Sequence, residues 1–162
     1  DMYTTDFLAT LPEVDSKRIG CMGFSMGAYR AWMLSALSDK VKAGAAVCWM
    51  VTTDCQFSWE YGKERGGFAN MLPGIRRYLD YPHIASIACP KPMFFLNGEH
   101  DKLFPPVGVN AAFAEMQKVW ESRSAGDKLV TELWDMPHDC GVKVQEAVLS
   151  FLNYNLASVR GN

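Results

Sequence analysis

Gly23-Phe24-Ser25-Met26-Gly27 places one serine between two glycines, after the apolar run Ile19-Gly20-Cys21-Met22 and before a helical stretch, Ala28 to Leu37. A buried strand that turns sharply into a helix holds such a serine at the strained tip of the turn, a nucleophile elbow. Side chains at the two glycine positions would collide with the strand and the helix as the turn tightens. The amide of the next residue, Met26, then stands at a helix N-terminus, where it can donate to a developing oxyanion. The chemistry implied is acyl transfer through an activated hydroxyl.

The serine needs a base and an acid that orients it. The chain has three histidines, His83, His100 and His138. His138 lies in Asp135-Met136-Pro137-His138-Asp139-Cys140-Gly141, a loop between an apolar run and the last helical stretch. Asp101 follows the run Met93-Phe94-Phe95-Leu96-Asn97, in Gly98-Glu99-His100-Asp101-Lys102-Leu103-Phe104-Pro105. The chain order Ser25, Asp101, His138 is one that a strand-elbow triad uses. Glu99 is the nearest rival acid and Asp54 a second. His100 reads as a rim residue, and His83, after Pro82, as a cap of the helix starting there.

The elements that must position these residues follow from periodicity. Four strands are predicted, at 18–23, 43–50, 93–97 and 129–134, alternating with helices. Loops at the carboxyl ends of parallel strands converge on one sheet edge, which lets Ser25, Asp101 and His138 meet. Tyr3, Phe7, Leu8 and Leu11 form an apolar face at helical spacing, stopped by Pro12. The helix after the elbow is apolar nearly all round and reads as buried. Val109, Ala112, Phe113, Met116, Val119 and Trp120 form one sheet-covering face, and Val144, Ala147, Val148, Phe151 and Leu152 another. The segment 51–90 is too long for a bare connection and reads as a specificity insertion, with a helix around Leu72 to Leu79. Trp49 and Trp59 are the candidate substrate contacts, weighed against packing of the insertion onto the body.

Leu11-Pro12-Glu13-Val14-Asp15-Ser16-Lys17-Arg18-Ile19-Gly20 running into the elbow, Cys89-Pro90-Lys91-Pro92-Met93 onward to Asp101, and Trp134-Asp135-Met136-Pro137-His138 together resemble the dienelactone-hydrolase and acetyl-xylan-esterase side of the α/β-hydrolase superfamily. The resemblance implies an α/β fold of about four parallel strands with helices on both faces, the C-terminal half of an α/β-hydrolase domain spanning 1–162. The N-terminal half, with the loop that gives a second oxyanion amide, is expected on a companion segment of roughly 150 residues or more. The elbow strand's other edge is then left unpaired. The resemblance further implies a serine esterase on decorated polysaccharides. Deacetylation is the first reading, and pectin-type methyl-ester, small-lactone or dienelactone hydrolysis the alternatives. It favours a bacterial periplasmic or secreted setting. A reading from another class is a catalytically silent hydrolase fold that binds a glycan or a partner.

Composition bounds the rest. The 162 residues are 49% apolar and 21% charged, enough for a sizeable core. The net charge of −2 and the scatter of the 16 basic residues give no nucleic-acid or membrane-surface footprint. The five cysteines, Cys21, Cys48, Cys55, Cys89 and Cys140, form no metal-binding or disulfide spacing. Cys21 and Cys48 read as buried strand residues, a pair from His138 and Cys140 lacks further ligands, and no metal or other cofactor is expected.

Overall fold

The computed structural model describes residues 1–58 and 74–157. Helix α1 (Met2–Leu8) leads to strand β1 (Ile19–Phe24), helix α2 (Met26–Leu37) and strand β2 (Val41–Val47). A short helix α3 (Thr53–Gln56) and a 3-10 turn (Ile75–Arg77) precede helix α4 (Tyr81–Ala85). Strand β3 (Met93–Gly98), helix α5 (Pro106–Ser122), strand β4 (Leu129–Trp134) and helix α6 (Val142–Ala157) complete the order. The four strands are parallel and lie in chain order, β1-β2-β3-β4. The α/β-hydrolase-like architecture expected from the sequence is the one found.

Alternation within each strand sorts the core into two layers. Ala46, Met93 and Phe95 face α2, α4 and α5, where Trp32, Val109, Met116 and Trp120 close the layer. Ala43, Ala45, Val47, Phe94 and Leu96 face α6, through Val144, Val148 and Leu152. Each fully buried valine, leucine, phenylalanine or methionine side chain here contributes about 1.5–3 kcal/mol by transfer from water. β3 is buried along its whole length, as expected of an interior parallel strand. β1 pairs only with β2 among the described residues and is only part-buried, with Met22 exposed.

Several expectations shift. β2 ends at Val47 instead of running to residue 50, because the chain turns into the left-handed region at Cys48 (φ 55°). α2 is not buried all round: Ala28, Ala31, Trp32 and Ser35 meet the sheet, while Met26 and Leu37 face outward. The expected inner face of α1 is also outward, with Tyr3 91% and Phe7 62% exposed. α1 is held instead by ion pairs, Asp1 with Arg30 and Asp6 with Lys40. Of the helix expected at Leu72 to Leu79, the described part is the 3-10 turn at Ile75–Arg77. No helix among the described residues is long and apolar enough to cross a membrane.

Candidate active site

β1 runs straight into α2, and Ser25 takes the turn between them with φ 54° and ψ −121°. A non-glycine residue held there stores roughly 1–3 kcal/mol of backbone strain. Two contacts hold the turn: the Ser25 amide donates to the Val47 carbonyl of β2 at 2.9 Å, and the Ser25 carbonyl accepts from Ala28 N at 2.8 Å. Gly23 is required by the close return of the chain, since a Cβ there would lie 2.0 Å from the Gly27 carbonyl oxygen. The reading of the second glycine is corrected. A Cβ at Gly27 meets nothing within 4 Å, because that position opens onto a groove lined by α1, β1 and α2.

The base arrives from the opposite side of the sheet. His138 Nε2 lies 2.9 Å from Ser25 Oγ, and His138 Nδ1 lies 2.7 Å from Asp101 Oδ2. The other carboxylate oxygen, Oδ1, accepts from the Leu103 amide at 2.9 Å, so both oxygens of this buried acid are engaged. The imidazole ring is also packed against two aromatic rings. Phe24 lies 4.7 Å away, tilted, and Phe104 stacks at 6.1 Å. The loops carrying acid and base are tied by backbone bonds, Glu99 N to Trp134 O at 2.8 Å and His100 N to Met136 O at 3.1 Å. Gly98 permits that approach: a Cβ there would sit 2.3 Å from the Met136 carbonyl oxygen.

The rivals are drawn off elsewhere. His100 Nε2 pairs with Asp135 at 2.7 Å on the exposed rim, beside exposed Glu99. Asp54 pairs with Arg76 at the surface. His83 Nδ1 accepts from the Asp80 amide at 2.9 Å and completes the capping box of α4.

The Met26 amide opens α2 beside Ser25 Oγ, and among the described residues it has no acceptor, which leaves it available to an oxyanion. The expectation for Trp49 is corrected. It is 2% exposed, enclosed by Tyr29, Trp32, Tyr81 and Phe104, and packs behind the site with no face open to a substrate. Trp59 lies outside the described residues.

Cys48 is a residue that sequence reasoning passed over as plain core. It is fully buried, and its sulfur, an Asp101 oxygen and a His138 nitrogen all lie within 4.8 Å of one another. Its thiol reaches toward the Asp139 carbonyl at 3.6 Å. Burial pushes the thiol from 9.0 up to about 11, and the Asp101 charge adds to the rise. Among the described residues no cysteine is in a disulfide.

Residues 2–156 match the prolyl oligopeptidase family, whose fold is that of an α/β-hydrolase. Over 122 residues the chain is 30% identical to YtaP of Bacillus subtilis, a hydrolase by its name, covering 75% of this chain and 40% of that protein. Methylesterase BT1017 is 22% identical with a TM-score of 0.70, over 94% of this chain and 33% of its own. A glucuronoyl esterase from Sporotrichum thermophile is 14% identical with a TM-score of 0.76, over 96% of this chain and 50% of its own. At those identities the two structures show the fold alone. The chain spans about two fifths of the curated relative and a third to a half of these two structures.

Proposed function

The chain belongs to the prolyl oligopeptidase family, and on that premise we propose that it carries the catalytic triad of a serine esterase. The observation that supports this is the continuous relay from Ser25 Oγ through His138 to Asp101. Ser25 attacks an ester carbonyl as His138 Nε2 takes its proton. Asp101 keeps the remaining imidazole proton on Nδ1 and stabilises the imidazolium. The Met26 amide donates to the oxyanion. His138 then protonates the leaving alcohol, and water attacking along the same path releases the acid and restores Ser25.

The proposed substrate is an ester on a carbohydrate, with acetyl removal as the first reading. A second reading, cleavage of an ester of a sugar acid, is favoured by the names of two structural neighbours, a methylesterase and a glucuronoyl esterase. We further propose that an N-terminal segment of the same hydrolase covers the free edge of β1, supplies the second oxyanion amide and buries the exposed apolar residues of α1. A single species of 18.1 kDa, active in ester hydrolysis and seen alone by denaturing mass spectrometry, would refute that companion.

The test of function is labelling with a fluorophosphonate, then a panel of acetylated oligosaccharide, methyl uronate, lactone and prolyl-peptide substrates. Labelling at Ser25 with turnover of a carbohydrate ester is the expected result. Turnover of the peptide alone would overturn the esterase reading. An unlabelled Ser25 would leave glycan or partner binding as the better account.

A further inference from the structure

We propose that the triad doubles as a binding site for a thiophilic divalent cation, Zn²⁺ or Cd²⁺, held by Cys48, Asp101 and His138, and that the bound cation switches catalysis off. Three donors of different chemistry, a thiol sulfur, a carboxylate oxygen and an imidazole nitrogen, meet within 4.8 Å in the shell behind Ser25. Thiolate, carboxylate and imidazole are the ligand types that zinc takes, at roughly 2.0–2.3 Å from each. Donors so arranged stand roughly 3–4 Å apart around the ion. The sulfur therefore closes in slightly, and the Asp101–His138 pair opens from its 2.7 Å contact. Neither move needs a change of fold, because all three side chains extend from the ends of adjacent strands or the loops that follow them.

Charge favours occupancy. The dication meets one thiolate and one carboxylate, so the buried unit is neutral, and a neutral buried unit escapes the penalty on an unpaired charge. The thiol proton leaves to solvent when the ion binds. The soft ligand separates this site from the exposed group of Glu99, His100 and Asp135, which offers oxygen and nitrogen only.

Inhibition follows from the tautomer. A carboxylate can only accept, so opposite Asp101 the imidazole proton of the resting triad belongs on Nδ1, which leaves Nε2 to accept from Ser25. An ion on Nδ1 moves that proton to Nε2. Nε2 then has no lone pair for the serine proton, and the nucleophile is left unactivated. The inhibitory half of the proposal rests on the esterase reading, whereas the binding half does not.

The experiment titrates the intact enzyme with CdCl₂ and follows the sulfur-to-cadmium charge-transfer absorption. Hydrolysis rates with and without ZnCl₂ are measured in parallel, each variant normalised to its own metal-free rate. One equivalent of Cd²⁺ is expected to develop the band in the wild type, in Ser25→Ala and in Cys140→Ala. Cys48→Ala and the closer mimic Cys48→Ser are expected to lose it. Zinc is expected to abolish hydrolysis reversibly, and Cys48→Ser to raise the half-inhibiting concentration about tenfold or more, as loss of the one soft ligand requires.

A band that is absent in the wild type, persists without Cys48 or vanishes in Ser25→Ala overturns the proposed ligand set. Zinc inhibition that disappears in His100→Gln places the ion on the rim and overturns it too. A preparation with no hydrolysis at all counts against the esterase reading, and the absorption titration then decides the metal site by itself.

Discussion

Asp101→Asn removes one charge and changes almost no volume, so its effect isolates the proton arrangement around His138. Both carboxylate oxygens accept from N–H groups: Oδ1 from the Leu103 amide at 2.9 Å and Oδ2 from His138 Nδ1 at 2.7 Å. Asparagine has one oxygen for these two donors. With that oxygen on Leu103, its NH₂ points at Nδ1 and selects the tautomer carrying the proton on Nε2, which cannot take the proton of Ser25. The flipped amide restores the working tautomer but sets NH₂ against the part-buried Leu103 N–H, leaving that donor unsatisfied at about 1 kcal/mol, the low end for such a group. The working tautomer is then held in a minority of roughly one molecule in six. Loss of the carboxylate opposite the developing imidazolium lowers the rate further, toward the roughly 10⁴-fold loss in kcat that a mis-set triad tautomer gives. The assay is steady-state hydrolysis of a chromogenic acetyl ester, with KM expected to stay within a factor of a few. A variant within tenfold of the wild-type kcat would refute the argument, because Asp101 would then not govern the Nδ1 proton.

Ser25→Ala is expected to lower kcat by roughly 10⁴ to 10⁶ with an unchanged melting temperature; retained hydrolysis would move the nucleophile elsewhere. Gly23→Ala and Gly27→Ala separate the two glycines of the elbow. The first drives a Cβ into the Gly27 backbone at 2.0 Å, and overpacking against an immovable partner costs about 3 kcal/mol or more, roughly a 10 °C fall in Tm. The second meets nothing and raises helix propensity by about 1 kcal/mol at most. Equal losses by thermal melts of this chain would contradict that asymmetry. Stability also falls at alkaline pH. The Cys48 thiol is raised by burial from 9.0 to about 11 and the Tyr81 phenol, chiefly by burial, from 10.0 to about 12. The unfolded chain releases these protons first, so stability present below about pH 9 is lost as pH rises through 11 and 12. Urea midpoints across that range should fall, and Cys48→Ala should flatten the first part; a flat wild-type curve is the contrary result.

The sequence carried the strand-to-helix turn and the two later strand-to-loop transitions, because apolar runs ending in Gly, Asp or Pro are local signals. In a parallel sheet ordered as the chain runs, those local signals also place Ser25, Asp101 and His138 at one edge, and the structure brings them within hydrogen-bond distance. What was not legible depends on neighbours from distant segments. Trp49 looked like a rim aromatic because nothing in the sequence says that Tyr29, Tyr81 and Phe104 enclose it. The outward face of α1 has the spacing of a buried one, and periodicity does not say what covers it. Phe24 lies inside the elbow motif, yet its place against the His138 ring depends on how a loop 113 residues beyond Ser25 folds back over it.

The relay also explains why the tip of β2 matters although it supplies no triad member. Ser25 stands at the end of β1 and Asp101 just beyond β3, with β2 between them. Parallel neighbours lie about 4.8 Å apart, so the relay must span about 10 Å above the end of β2. Cys48 is the residue there. It is small, and its backbone is left-handed (φ 55°) just past the end of β2. Cys48→Leu tests this without touching any hydrogen bond of the triad. A leucine adds bulk at a fully buried position bordered by Asp101 and His138, and the imidazole is already packed against Phe24 and Phe104. The added side chain is relieved by displacing His138 from Ser25, and a misplacement of about 1 Å costs about 10²-fold in rate. The expected result is a hundredfold lower kcat and equally slowed phosphonate labelling of Ser25, while Cys48→Ser keeps both near wild type. If Cys48→Leu labels at the wild-type rate, the tip of β2 does not set the position of His138.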